Sequence, residues 1–321
     1  MKTSTIVFLI IAAVLVIIGT LIFTSALFAA DFDFYKLSSE KFETNTYTAD
    51  GNFENIEIEC ETADVMFKAS TDGNCRVECN ENEKLKHTVT VKDGILRVSA
   101  NDERKWYDHI TFFGSRKASA TVYLPETSYA SLSVGITTGD VHLPRGFEFG
   151  SVLIDGTTGD VEISSEVTNT LDVRSTTGDT RISDVSAGDI ILSVTTGDIE
   201  VDNVKADGDF TFKLTTGDVE MDNVSCKNFD GKGSTGDIVL ENVIAKEKLS
   251  VKTGTGDVIF EDCDADEIYV KTTTGHVKGT LLSAKVFLAD TSTGKVDIPK
   301  TTSGGKCEIT TTTGDVRIRV K

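Results

Sequence analysis

The sequence predicts an all-β fold: a single-stranded β-helix or β-solenoid of about ten 19–20-residue coils, preceded by one transmembrane helix. Three observations predict it. The chain begins with a long uncharged apolar run, a glycine returns every 19 or 20 residues from Gly139 to Gly314, and apolar residues alternate by two on both sides of that glycine.

The apolar run is "TIVFLIIAAVLVIIGTLIFTSALFAA", Thr5 to Ala30, and only Lys2 and the α-amino group precede it. At a rise of about 1.5 Å per residue it is more than long enough to cross a bilayer. A cleaved signal peptide has a shorter apolar core followed by a small-x-small site. The best such site here, Thr24 to Ala26, lies inside the run. Residues 1–30 therefore read as an N-terminal transmembrane signal anchor, and 31–44 as a juxtamembrane linker. Lys36 and Lys41 follow the run and Lys2 precedes it, so flanking charge alone does not fix orientation. A short N-terminal tail before a large domain favours N-inside, with the domain extracellular; a cytoplasmic domain is the open alternative.

The net charge of −19 repels nucleic acid and anionic lipid, so no nucleic-acid partner is expected. Three prolines and 27 glycines, amid abundant Val, Ile and Thr, point to β-structure with almost no helix outside the membrane.

The repeat occupies residues 131–321. Its glycines are Gly139, Gly159, Gly178, Gly197, Gly217, Gly236, Gly256, Gly275, Gly294 and Gly314, at gaps of 20, 19, 19, 20, 19, 20, 19, 19 and 20. So tight a period marks a repeat architecture. Seven and five residues before the glycine stand apolar side chains such as Leu171 and Val173; two and four after it stand others such as Ile199 and Val201. This alternation predicts two short strands per repeat, each with one buried face, and a Thr-Gly corner between them. Stacking such units makes a continuous core that no single unit possesses. The parity also suits antiparallel hairpins, but the fixed coil length and matching columns of identical residues favour a parallel stack.

At the corner, glycine tolerates positive φ and Asp accepts hydrogen bonds from the turn backbone, which explains the reiterated "TTGD" without chemistry. A sharper reading takes Asp140, Asp160, Asp179, Asp198, Asp218, Asp237 and Asp257 as one carboxylate column able to collect Ca²⁺. The denser nine-residue glycine pattern of calcium-binding β-rolls is absent, and His276 and Lys295 replace Asp in coils eight and nine. A structural turn is the preferred reading. A second column, Asp184, Asn203, Asn223, Asn242 and Asp262, reads as a left-handed corner ladder.

Residues 45–130 carry a looser pattern of irregular N-terminal coils and a capping loop. Asp64 lies 76 residues, four periods of 19, before Asp140. "HTVTVKDGILRVSA" reads as a hairpin around Asp93-Gly94, and "SATVYLPETSYASLSV" as a strand, a Pro turn and the first array strand. Between them, residues 101–117 hold the sole tryptophan, Trp106, with Tyr107, Phe112 and Phe113. These four are the candidate interaction loop; the alternative, which is preferred, is a cap over the open end of the core.

No catalytic constellation emerges. Cys60, Cys75, Cys79, Cys263 and Cys307 fall in inward columns and Cys226 where other coils have Ala, so the cysteines read as small core residues. A link from Cys60 to Cys75 or Cys79 stays open for an extracellular domain. "GKGSTG", residues 231–236, matches a dinucleotide fingerprint but lacks a βαβ unit, and no two of His87, His109, His142 and His276 have metal-ligand spacing. No cofactor is implied.

The N-terminal anchor, irregular lead-in and "TTGD" corners over residues 45–321 resemble a bacterial putative-adhesin family known mainly as a domain of unknown function. The resemblance implies a β-solenoid at the cell envelope and supplies no catalytic residues. The expected function is a non-catalytic, membrane-anchored solenoid serving adhesion or scaffolding. An envelope-stress sensor binding a peptide, lipid or protein partner is the alternative; a polysaccharide-binding or polysaccharide-acting β-helix comes third. Expected partners are the membrane, through the helix, and an unknown surface ligand or envelope protein. The outward charges of "DVRIRVK" are read as guarding a terminal edge, which predicts a monomeric ectodomain.

Overall fold

In a computed structural model of the chain, which describes residues 3–29, 31–32, 42–82, 85–102 and 118–321, each repeat lies parallel and in register on its neighbours. Leu171, for example, pairs with Val152 on one side and Ile190 on the other. The hairpin alternative is therefore excluded within the array, and the β-solenoid stands.

Each layer has three sides where the sequence predicted two. In the third repeat they are Thr170–Thr177, Thr180–Ser183 and the short Ser186–Ala187. The third side arises because the corner after the second strand takes a left-handed residue: φ is 56° at Asp184, 53° at Asn203, 56° at Asn223, 51° at Asn242 and 58° at Asp262. Asn and Asp tolerate this region better than other non-glycine residues. The adjacent columns, Val185, Val204, Val224 and Val243, then Ala187, Ala206, Cys226 and Ala245, turn inward and are buried.

At the first corner glycine is obligatory. Gly197 has φ of 134°, and a Cβ there would lie 2.1 Å from the Gly178 carbonyl oxygen in the layer beneath. Gly231, inside "GKGSTG", is required for a different reason. A Cβ at Gly231 would fall 2.3 Å from the Phe212 ring, so its bareness makes room for Phe212, which meets Phe229 edge-on while Phe210 stacks on Phe229. The dinucleotide resemblance is a packing feature.

Both ends of the stack depart from chain order. At the N-terminal end, Asn55–Thr62 lies between Ile95–Asp102 and Ser128–Thr138. Asp64–Ala69 likewise lies between Ser119–Leu124 and Val141–Leu143. Antiparallel strands close this end: Arg76–Asn82 pairs with Ser119–Leu124, Phe42–Thr48 pairs with Arg76–Asn82, and Leu85–Lys92 forms the expected hairpin with Ile95–Asp102. Asp93 and Gly94 turn that hairpin with φ of 55° and 75°, the sign required at both central residues of a type I′ turn.

At the other end, Gly305–Thr313 lies between Glu267–Thr274 and Lys285–Thr293, while Val316–Val320 lies between Val277–Leu281 and Val296–Asp297. The expectation that "DVRIRVK" forms the terminal edge is thus overturned. The ninth repeat is outermost and the tenth is inserted beneath it. With a neighbour on each side, the inward residues Cys307, Ile309, Val316 and Ile318 are buried, whereas Phe287, Ala289 and Ile298 of the outermost ninth repeat are only partly covered.

The helix Thr3–Ala29 precedes the solenoid, and its stretch Thr5–Ala29 is long and apolar enough to cross a membrane. The first strand starts at Phe42, inside the segment read from sequence as linker. The stacked layers, at about 4.8 Å each, extend roughly 50 Å.

Candidate functional site: a corner ladder and an open distal edge

The recurring Asp forms a directional hydrogen-bond ladder. The Oδ1 of each accepts the backbone N–H of the equivalent residue in the next layer: Asp140 from Asp160 at 2.9 Å, Asp160 from Asp179 at 2.8 Å, Asp179 from Asp198 at 2.9 Å and Asp198 from Asp218 at 2.8 Å. Asp218, Asp237 and Asp257 continue it, the last receiving the N–H of His276 at 2.8 Å. Below the array, Asp64 accepts the N–H of Asp140 at 3.0 Å, so the four-period gap in sequence is a single step in space.

The two departures from Asp fit their places. His276 Nδ1 accepts the N–H of Asp315 at 2.9 Å, and Asp315 Oδ1 accepts that of Lys295 at 2.8 Å. Lys295 belongs to the outermost layer, where no further N–H awaits an acceptor. The Ca²⁺ column considered from sequence would use the same carboxylates. One oxygen of each is committed to the backbone, and the second oxygens of Asp179 and Asp257 lie 3.2 Å from Arg181 and 3.4 Å from Lys278.

The loop candidates Trp106, Tyr107, Phe112 and Phe113 lie outside the described residues. All six cysteines are buried and free, so no Cys60 link to Cys75 or Cys79 is formed. Burial pushes the thiols of Cys60, Cys75, Cys226, Cys263 and Cys307 up to about 12.

Two shallow grooves run along the short-strand face. One, of about 430 Å³, is lined by carboxylates including Glu200, Glu220 and Asp222 around Arg181. The other, of about 520 Å³, is lined by Lys278, Arg317, Arg319 and Lys321 beside Glu261 and Asp262. Most of their cations are tied to neighbouring carboxylates: Arg181 to Glu200 at 2.8 Å, Arg319 to Asp297 and Lys321 to Asp262 at 2.5 Å each. Solvent screens such exposed pairs, so each adds little to stability. They stitch layers together without nominating a nucleophile or a general base.

Sequence reasoning missed the outermost layer. Among the described residues, Lys285–Thr293 pairs on one side only, with Gly305–Thr313. Its outward residues Val286 and Leu288 are 38% and 53% exposed, and Val296 beyond the corner is 41% exposed. This edge leaves backbone N–H and C=O groups of the strand without a ladder partner among the described residues and apolar side chains in solvent. Lys295 was the available signal, since a ladder position that needs no acceptor marks the end of a ladder.

This architecture defines a β-solenoid repeat protein with one apolar N-terminal helix. The chain belongs to the Toastrack DUF4097 family, whose model matches residues 53–211 and 206–321. Its fold resembles that of a putative adhesin from Parabacteroides distasonis at 15% identity, covering 74% of this chain and 97% of that one, with a TM-score of 0.52. A putative adhesin from Parabacteroides merdae shares 14% identity over 74% of this chain and 96% of its own, at a TM-score of 0.52. A protein from P. distasonis named as a putative lipid binding protein shares 15% identity over 75% and 98%, at a TM-score of 0.51. No curated protein matches the chain. These likenesses establish the fold.

Proposed function

We propose that the protein is a non-catalytic, single-pass envelope protein that displays a rigid β-solenoid outside the bacterial membrane and engages a surface partner through its outermost layer. The observation that carries this reading is the placement of the open edge. The N-terminal helix leads into the capped end, and the uncapped ninth repeat, with Val286, Leu288 and Val296 exposed, lies at the opposite end of the stack. The ladder from Asp64 to Lys295 supports the scaffold part of the proposal, because ten such bonds tie successive layers into one unit. Adhesin-type names among the fold relatives agree with a surface role.

The test is protease accessibility on intact cells, with an epitope tag placed after Lys321. Loss of the tag signal without lysis supports display. Protection that disappears only on lysis puts the domain in the cytoplasm and overturns the proposal.

A further inference from the structure

Buried ionisable side chains are few among the described residues, and one cluster in the N-terminal cap stands apart. Cys79 and Glu81 alternate on the strand Arg76–Asn82 and face inward, each 0% exposed. The hairpin strand Leu85–Lys92 brings His87, 4% exposed, against them. One ligand atom from each of the three lies within 4.8 Å of the others, the only such trio among the described residues.

Glu81 is tightly held. Its Oε1 accepts Tyr47 Oη–H at 2.6 Å and Asn45 Nδ2–H at 2.7 Å; its Oε2 accepts the His87 backbone N–H at 2.6 Å and faces His87 Nδ1 at 2.7 Å. Burial alone would push this carboxyl up, yet the hydrogen bonds outweigh it and keep Glu81 below the ordinary carboxylate range. A carboxylate against Nδ1 places the ring proton there, which leaves Nε2 with the lone pair. That Nε2 is buried and has no partner among the described residues. Leaving a buried polar atom unpaired costs about 1–3 kcal/mol, so the position is one that an occupant would relieve.

A metal-ligating histidine characteristically gives its other ring N–H to a carboxylate, which sets the tautomer and aims the free nitrogen. The Glu81–His87 pair has this arrangement, with a thiol beside it. We infer that Cys79 and His87, oriented and backed by Glu81, form a site for a divalent cation of the zinc class in the cap. Sulfur and imidazole donors together select a borderline-soft ion over Ca²⁺ or Mg²⁺. Binding exchanges the Cys79 S–H bond for a sulfur–metal bond and releases one proton. With Cys79 and His87 as its two protein donors, a tetrahedral ion keeps two positions for water or added ligands. The ion would join the strand Arg76–Asn82 to the hairpin that closes the membrane-side end of the stack, so it would act as a clasp on the cap, independently of the distal edge.

Cobalt(II) is the probe. The reduced full-length chain in detergent, refolded with Co²⁺, is expected to bind one equivalent with thiolate-to-cobalt charge-transfer absorption, displaced by one equivalent of Zn²⁺. Cys79→Ser and His87→Gln are each expected to lower that absorption at least tenfold at one equivalent, while Cys226→Ser, in the array, leaves it unchanged. Circular dichroism of the metal-free variants checks the fold, and if one substitution prevents folding the other decides. Absence of the absorption in the folded wild-type chain, or its full retention in a folded Cys79→Ser or His87→Gln variant, overturns the inference.

Discussion

His276 Nδ1 accepts the backbone N–H of Asp315 at 2.9 Å, across 39 residues of sequence. Every other side-chain rung within the array spans 19 or 20 residues. The doubled step records the insertion of the tenth repeat between the eighth and the ninth. His276→Ala should remove the acceptor and weaken this junction by about 1 kcal/mol, whereas His276→Asp should restore it. Hydrogen exchange at the Asp315 amide checks this: roughly a fivefold acceleration is expected for Ala and little change for Asp.

Glycine should matter unequally along the chain. Gly197→Ala forces a Cβ to within 2.1 Å of the Gly178 carbonyl at a φ of 134°, and is expected to destabilise by roughly 3 kcal/mol. Gly156→Ala meets nothing nearer than 3.7 Å and should be close to neutral. Chemical unfolding of the two variants separates the cases.

At the second corner the left-handed backbone sets the ranking. Asn203, at φ of 53°, should accept Gly with little loss, while Asn203→Val should lose about 1–2 kcal/mol, because a branched Cβ crowds that conformation. Thermal unfolding midpoints test the order.

The acidic outer column predicts a pH dependence. Asp222 is the main cause that raises Glu241 above the ordinary carboxylate value, followed by burial and by Glu261, Asp262 and Glu220. A folded-state value above the unfolded one means that the native state holds the proton more tightly. Stability is therefore lost as pH rises through these values, and the penalty is fully present at neutral pH. Glu241→Gln should raise the unfolding midpoint at pH 7, leave it unchanged near pH 3, and lose most of its effect in about 1 M salt.

The array was legible because each layer repeats one pattern of inward residues, one obligatory glycine and one left-handed Asn or Asp. The order of layers at the ends was not, because periodicity is unchanged when equivalent layers exchange places. Only His276 and Lys295 carried that information, and their meaning depends on knowing which N–H lies above them. The three-sided cross-section was half visible: the Asn203 column was recognised as left-handed, but not the extra side it creates. The cap cluster was hidden for another reason. Cys79 and Glu81 are ordinary alternation on a strand, and His87 joins them only through the closing of the hairpin.

The most direct test of the central claim, that the repeated Thr-Gly-Asp is architecture, compares Asp198→Asn with Asp198→Ala. Asn retains an oxygen able to accept the Asp218 N–H, now 2.8 Å from Asp198 Oδ1, and discards the charge. The account predicts that Asn stays within about 0.5 kcal/mol of wild type, that Ala loses about 1 kcal/mol or more, and that Ca²⁺ changes neither result. Equal damage from Asn and Ala, together with a wild-type chain stabilised by Ca²⁺, would contradict it and restore the carboxylate column as a metal site.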